Sequence, residues 1–399
     1  MLKRTLSAVS LGLAMLSQTV AASPDERAAA LLDSGLAYLA AQQQDDGTWQ
    51  PVEQVPPAIT ALALRGFVGS EAYTPDDEIV RRGYEALIAQ QVADGGIYED
   101  LLANYNTAIA VSAIAEARKE AGDDRYADEM SKAVAYLRKL QWVPGTEPEF
   151  EGDEIVQRVQ GEDDPFLGGW GYGGRSRGAG RPDLSNAQMA LEALHAAGIP
   201  KDDPAYQRAI QFITRLQNNS ETNSEPWASD DGGFIYGPDA DRSFESFAGE
   251  YTTPDGQRRL RSYGSMTYAG LKSMIYAGLT KDDPRVRAAF RWIENNWTLE
   301  QNAGMAEGDP EKAESGLFYN YLVLASALDV YDQPVLDTPD GPIDWRVELI
   351  AELERRQQPD GSWSGSAKWR EADPVMVTAY ATIALNHVRN DLAEHPVEQ

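Results

Sequence analysis

Cysteine is absent from this chain. That single absence excludes disulfides, thiolate zinc sites and a cysteine nucleophile, so stability has to come from a packed core. Histidine is scarce too, with only His195, His387 and His395. His395 falls in the C-terminal tail. The other two fall near predicted helix C-termini, where a positive ring complements exposed carbonyls. Neither a metal centre nor a cofactor is expected. Positive charge is also short, with 35 Lys and Arg against 63 Asp and Glu and a formal net charge of −28. Such a chain repels phosphate backbones and anionic lipid surfaces, so nucleic acid is not an expected partner.

Long apolar runs are missing, with one partial exception at the start. Lys3 and Arg4 precede an apolar stretch from Leu6 to Val20, and Val20-Ala21-Ala22 supplies the small residues signal peptidase needs. The run is too short and interrupted to read as a membrane span. We read residues 1–22 as a signal peptide of an exported protein, periplasmic or secreted, that is not an integral membrane protein. Residues 23–390 are read as one domain and residues 391–399 as a tail.

What the sequence does have is an internal repeat. Ala197-Gly198-Ile199-Pro200-Lys201-Asp202-Asp203-Pro204 is echoed by Ala277-Gly278-Leu279-Thr280-Lys281-Asp282-Asp283-Pro284. In each, Gly closes one helix, and Asp then Pro open the next. Calcium binding by these Asp pairs is the weaker reading, because capping already explains them. Each predicted helix then ends near Gln and enters a Gly-rich turn. Examples are Asp46-Gly47-Thr48-Trp49, Asp94-Gly95-Gly96-Ile97-Tyr98, Gly168-Gly169-Trp170-Gly171-Tyr172, Asp231-Gly232-Gly233-Phe234-Ile235-Tyr236 and Asp360-Gly361-Ser362-Trp363; the fifth copy, around Asn302-Ala303-Gly304, is degenerate. An Ala-rich second helix follows every turn, with apolar positions at helical spacing such as Ala187, Leu191 and Leu194. An open stack of such hairpins needs polar terminal repeats, and none is visible. The predicted fold is therefore all-α, an α6/α6 toroid of six hairpins, with surface insertions at about 143–167 and 239–261.

The Gln-to-Gly-to-Trp turn, best seen in Gln357-Gln358-Pro359-Asp360-Gly361-Ser362-Trp363, resembles the QW repeat of squalene and oxidosqualene cyclases. At the level of repeats the likeness covers nearly the whole chain after residue 22. It extends to the prenyltransferase β-subunit branch of this terpenoid cyclase superfamily of prenyltransferase/squalene-oxidase repeat proteins. The resemblance implies that the Gln and Trp residues are structural and that function sits at inner-helix N-termini facing a central cavity. Cyclases of this type hold an Asp-x-Asp-Asp-Thr-Ala proton-donor segment there. The matching stretch is Asp183-Leu184-Ser185-Asn186-Ala187-Gln188, in which only the first Asp remains and Ser185 stands at the acid's position. The zinc site of the prenyltransferases has no counterpart without Cys.

The predicted inner-helix starts nonetheless carry a consistent polar set. Asn104, Tyr105, Asn106 and Thr107 belong to the second repeat, and Asp183, Ser185, Asn186 and Gln188 to the third. Arg261, Tyr263, Thr267 and Tyr268 follow in the fourth, then Tyr319, Tyr321, Thr378 and Tyr380. Tyrosine mixed with amides suits a ligand with polar atoms better than a bare carbocation. The leading expectation is a toroid that binds or modifies an isoprenoid or other amphipathic small molecule. Asp183, Tyr263 and Tyr268 are its candidate catalytic residues, and Asn104, Asn106, Ser185, Asn186, Gln188, Arg261, Tyr319 and Tyr380 its candidate ligand contacts. Two alternatives stand beside it. One is a carbohydrate-active, polysaccharide lyase-like toroid using Tyr263, Tyr268 and Arg261. The other is a non-catalytic scaffold for protein contacts.

Overall fold

The structure, a computed structural model, describes residues 22–49, 56–144, 159, 161–174 and 180–397. The expected signal peptide, apart from Ala22, and most of the insertion at 143–167 lie outside those residues. Helices α1 (Pro24–Gln42) and α2 (Pro56–Val68) form the first hairpin, and α3 (Glu78–Ile88) and α4 (Ala103–Ala121) the second. The third pairs α5 (Ala127–Leu140) with α6 (Leu184–Ala196), and the fourth α7 (Pro204–Thr214) with α8 (Gly264–Tyr276). The fifth runs from α9 (Pro284–Asn295) through the single-turn α10 (Met305–Gly308) to α11 (Leu317–Tyr331). The sixth is α12 (Trp345–Arg356) and α13 (Pro374–Glu394). Helix starts follow the capping logic: the Asp203 and Asp283 side chains accept from the amides of Ala205 and Arg285, with Pro at the first helical position.

The second helix of each pair forms an inner ring. Helix α2 packs on α4, α4 on α6, α6 on α8, α8 on α11, α11 on α13, and α13 back on α2. The chain therefore has the closed all-α toroid architecture. Small residues make the ring possible, since Ala108, Ala110, Ala113, Ala187, Ala190, Ala193, Ala325, Ala327, Ala379 and Ala381 are all buried between helices.

One hydrogen-bonding device ties the outer ring together. Gln43 Nε2 donates to its own turn at Gly47 and to Ile79 of α3, at 3.0 and 2.8 Å. Gln91, Gln141 and Gln217 do the same toward Glu129, Ala205 and Arg285, each at the start of the following outer helix. The glycine after the aspartate sits against that same helix. At Gly47, with φ 90°, a Cβ would stand 2.6 Å from the Arg82 carbonyl oxygen, so both the left-handed backbone and the close approach require glycine. The fully buried indoles of Trp49, Trp170 and Trp363 donate back to Leu39, Leu137 and Leu353 at 2.7–2.8 Å. The Gln and Trp residues are thus bound into the repeat turns and the core.

Three two-stranded antiparallel hairpins decorate the ring: β1 (Gly237–Pro238) with β2 (Phe244–Glu245), β3 (Glu250–Thr252) with β4 (Arg258–Leu260), and β5 (Val335–Thr338) with β6 (Gly341–Asp344). The segment at 239–261 is therefore not an irregular loop. Nearer the C-terminal ends of the inner helices, Glu192 of α6 binds Arg65 of α2 and Lys272 of α8, both at 2.6 Å. Among the described residues no helix is long and apolar enough to cross a membrane.

Candidate ligand site

At the opposite end of the inner ring, the helix N-termini surround a cavity of about 390 Å³. Six tyrosines line it: Tyr105, Tyr172, Tyr236, Tyr263, Tyr319 and Tyr380. Their origins differ. Tyr105 and Tyr319 stand in the first turns of α4 and α11, Tyr380 in the second turn of α13, and Tyr263 is the N-cap residue of α8. Tyr172 and Tyr236 come from the Gly-rich turns of the third and fourth repeats. Phe247, from the connection between β2 and β3, and Trp369 complete the aromatic wall, with their rings 5.6 Å apart. Ile59, Leu102, Met266 and Met376 add apolar surface, and Ser185 and Arg370 are the remaining polar groups.

The hydroxyls form short chains around this wall. Tyr105 and Tyr380 are hydrogen-bonded at 2.9 Å, Ser185 and Tyr319 at 3.0 Å, and Gln188 donates its side-chain amide to Tyr319 at 3.3 Å. Tyr263 is fully buried, and among the described residues its hydroxyl has no partner. Burial raises the pKa of Tyr105, Tyr172, Tyr236, Tyr263, Tyr319 and Tyr380, so these phenols stay neutral and serve as donors and acceptors.

Asp183 does not line the cavity. It caps α6, accepting from the Asn186 amide and side chain at 2.8 Å each, and is only 1% exposed. Burial pushes its pKa up to about 6 against the opposing hydrogen bonds from Asn186 and Tyr236 and the more distant charge of Arg181. Tyr236 therefore stands between this carboxyl and the cavity. Glu371 is the other buried acid near the site. It accepts from the Tyr319 amide at 2.8 Å at the start of α11, and burial lifts it to about 7 despite that bond.

Of the residues expected from sequence, Ser185, Tyr263, Tyr319 and Tyr380 meet at this wall, and Gln188 reaches it through Tyr319. The amides do something else. Asn104 donates to Asn186 across the α4–α6 contact at 3.0 Å, and Asn106 accepts from Ala58 at the start of α2. Tyr268 is buried in the core away from the cavity. Arg261 lies elsewhere, paired with Glu307 at 2.5 Å and stacked over Tyr251. Arg261, Tyr263 and Tyr268 do not share one site, so the lyase-like triad is corrected. The threonines also turn inward: Thr107, Thr267 and Thr378 accept from the turn amides of Ile97, Phe234 and Trp363.

Closed α/α toroids of this kind serve several chemistries, and comparison with solved structures gives the same class. An unsaturated glucuronyl hydrolase specific for heparin matches with TM-score 0.57 and 15% identity, over 94% of this chain and 99% of that one. Cellobiose 2-epimerase from Spirochaeta thermophila matches with TM-score 0.56 and 12% identity, over 93% and 97% of the two chains. The type II terpene cyclase MstE from Scytonema matches with TM-score 0.50 and 12% identity, over 92% and 99%. At these identities the likeness is one of fold, the closed α/α toroid. No protein-family profile matches the sequence, and no curated protein sequence does.

Proposed function

We propose that this protein binds an amphipathic small molecule of isoprenoid type in the tyrosine-lined cavity, outside the inner membrane, without acid-initiated cyclisation. The observation that carries this reading is the composition of the wall among the described residues: eight aromatic rings, four aliphatic or thioether side chains, and no carboxylate. A volume of about 390 Å³ is of the size that takes a small organic ligand. Aromatic faces favour an apolar body, and neutral phenols at several heights around it can bond to isolated oxygens.

The chemistry of the wall argues against cleavage. A glycoside-cleaving site needs two carboxyl groups facing the scissile bond, whereas Asp183 and Glu371 are both engaged with helix starts outside the cavity wall. Alkene protonation needs a strong acid in contact with substrate, and Ser185, which the sequence resemblance sets at the acid's position, is the residue of that segment lining the cavity. MstE, whose substrate complex holds geranylgeranyl dihydroxybenzoate, is the toroid whose ligand resembles the proposed one.

Solvent extraction of the purified protein followed by mass spectrometry should recover an isoprenoid or similar amphiphile. Titration with farnesol should change the emission of Trp369, which is 39% exposed at the cavity. Extracts without any such molecule, together with no farnesol response, would overturn the reading.

A further inference from the structure

We propose that the ligand carries a terminal anion, a carboxylate or a phosphate monoester, and that Arg370 binds it. This rests on the cavity being the ligand site, and it adds the chemistry of one end of the ligand. Arg370 lines the cavity among aromatic and apolar side chains. Its positive charge reaches the Tyr105 hydroxyl, which is itself bonded to Tyr380. Among the described residues its guanidinium has no ion pair and no hydrogen bond.

Arg370 is partly exposed, and the described residues that line the cavity with it include no carboxylate. The chain has 63 acidic residues to 35 basic ones, so carboxylates are abundant. Arg181 and Arg242, from neighbouring segments, are matched with Asp239, Glu245 and Asp164. Even the adjacent acid is used elsewhere, since Glu371 bonds the Tyr319 amide. A guanidinium offers a planar fork of donors suited to a carboxylate or phosphate. Here that fork is left free beside a neutral phenol pair.

The backbone places it there at some strain. Trp369 (φ 55°) and Arg370 (φ 65°) both adopt left-handed backbone, which the Cβ of any residue but glycine disfavours. The Trp369 indole holds this turn by lying against Gly316, where a Cβ would clash, and against Phe247. The strained pair puts one indole and one guanidinium on the cavity wall and sends the next carboxylate into the start of α11. Independently, the fully buried Tyr263 hydroxyl, without a partner among the described residues, marks a second place where a ligand oxygen would complete the site.

The test compares farnesol, farnesoic acid and farnesyl monophosphate by fluorescence titration of the purified protein. The wild type should bind at least one of the anions roughly ten-fold or more tighter than the alcohol, the worth of one charge-assisted contact. Arg370→Asn, whose side chain tolerates left-handed backbone, should erase that preference, so that within the variant the anions bind no tighter than farnesol. Arg370→Lys should keep much of it. Thermal melts of each variant check the fold. Which anion is preferred identifies carboxylate or phosphate as the natural group. Equal binding of all three by the wild type, unchanged in Arg370→Asn, overturns this inference but leaves the cavity reading standing. No binding of any of the three overturns both.

Discussion

Gln357 donates its side-chain amide to the Leu31 carbonyl at 3.1 Å, joining the last outer helix to the first. The same amide also bonds its own turn at Gly361, so one side chain fastens the turn and closes the ring. Gln357→Leu should lower the unfolding free energy by about 1–3 kcal/mol, because two carbonyls lose their donor. Gln217→Leu should cost more, since Gln217 is fully buried and makes the equivalent pair of bonds. Urea denaturation of both variants checks the order. If Gln357→Leu were as stable as wild type, ring closure would rest on helix packing alone.

Gly35 lies inside α1, where replacing glycine by alanine ordinarily stabilises a helix by roughly 0.5–1 kcal/mol. Here the opposite is expected. A Cβ at Gly35 would stand 2.8 Å from Trp363 Cζ3 and 2.9 Å from Thr382 Cγ2. The indole cannot retreat, being fully buried and bonded to Leu353 at 2.8 Å. Overpacking costs about 1–3 kcal/mol, so Gly35→Ala should lower the melting temperature. An increase would mean that the ring can shift at no penalty.

The repeats were legible from sequence because the residues that build each turn lie close together in the chain. A left-handed glycine, an aspartate two residues before the amide it receives, and a glutamine at a helix end all lie within one short motif. The cavity was legible only in part. Ser185, Tyr263, Tyr319 and Tyr380 follow from their places at inner-helix starts. Asn104, Asn106 and Asn186 occupy the same kind of position, but their amides link neighbouring helices, and helical periodicity cannot tell these directions apart. Tyr172 and Tyr236 looked like repeat-turn aromatics and in fact also face the cavity. Phe247, Trp369 and Arg370 come from irregular connections whose direction depends on tertiary contacts. Nothing in the local pattern announces two consecutive left-handed residues at Trp369 and Arg370.

Glu192 is the shared anion of a buried network, and its partners are not equivalent. Burial pushes its pKa up, but Lys272 and Arg65 outweigh that and hold it well below the usual carboxylate range. Glu192→Gln leaves Lys272 buried without a counter-charge, while Arg65 still has Glu116 at 2.8 Å. We expect a loss of about 3–5 kcal/mol, as for other broken buried pairs. Lys272→Met should cost less, because Glu192 keeps Arg65 at 2.6 Å. The double variant should recover most of the loss of Glu192→Gln. Denaturant unfolding gives the ranking, and a Lys272→Met penalty equal to that of Glu192→Gln would refute the asymmetry. Because the Glu192 pKa is depressed in the fold, its stabilisation is present above the ordinary carboxylate range and is lost as pH falls below it.

Asp183 should behave in the opposite sense. Its pKa rises from 3.8 to about 6 in the fold, chiefly through burial. Between those values the native state keeps a proton that the unfolded chain has released, so the native state binds more protons. Stability contributed by this group therefore falls as pH rises through that window and is level above it. The difference amounts to something on the order of 2–3 kcal/mol. Asparagine caps a helix nearly as well as aspartate and does not titrate, so Asp183→Asn should gain on the wild type between pH 4 and about 6 and hold that gain to pH 8. Comparing the two proteins cancels every other titrating group to first order. Unfolding free energies measured at half-unit pH steps would reveal the window. A constant difference from pH 4 to pH 8 would mean that the carboxylate is ionised throughout, with its hydrogen bonds from Asn186 and Tyr236 outweighing burial. Farnesol affinity should be the same in the variant, because the carboxyl reaches the cavity only through Tyr236. Loss of farnesol binding with the fold intact would instead place Asp183 in contact with ligand.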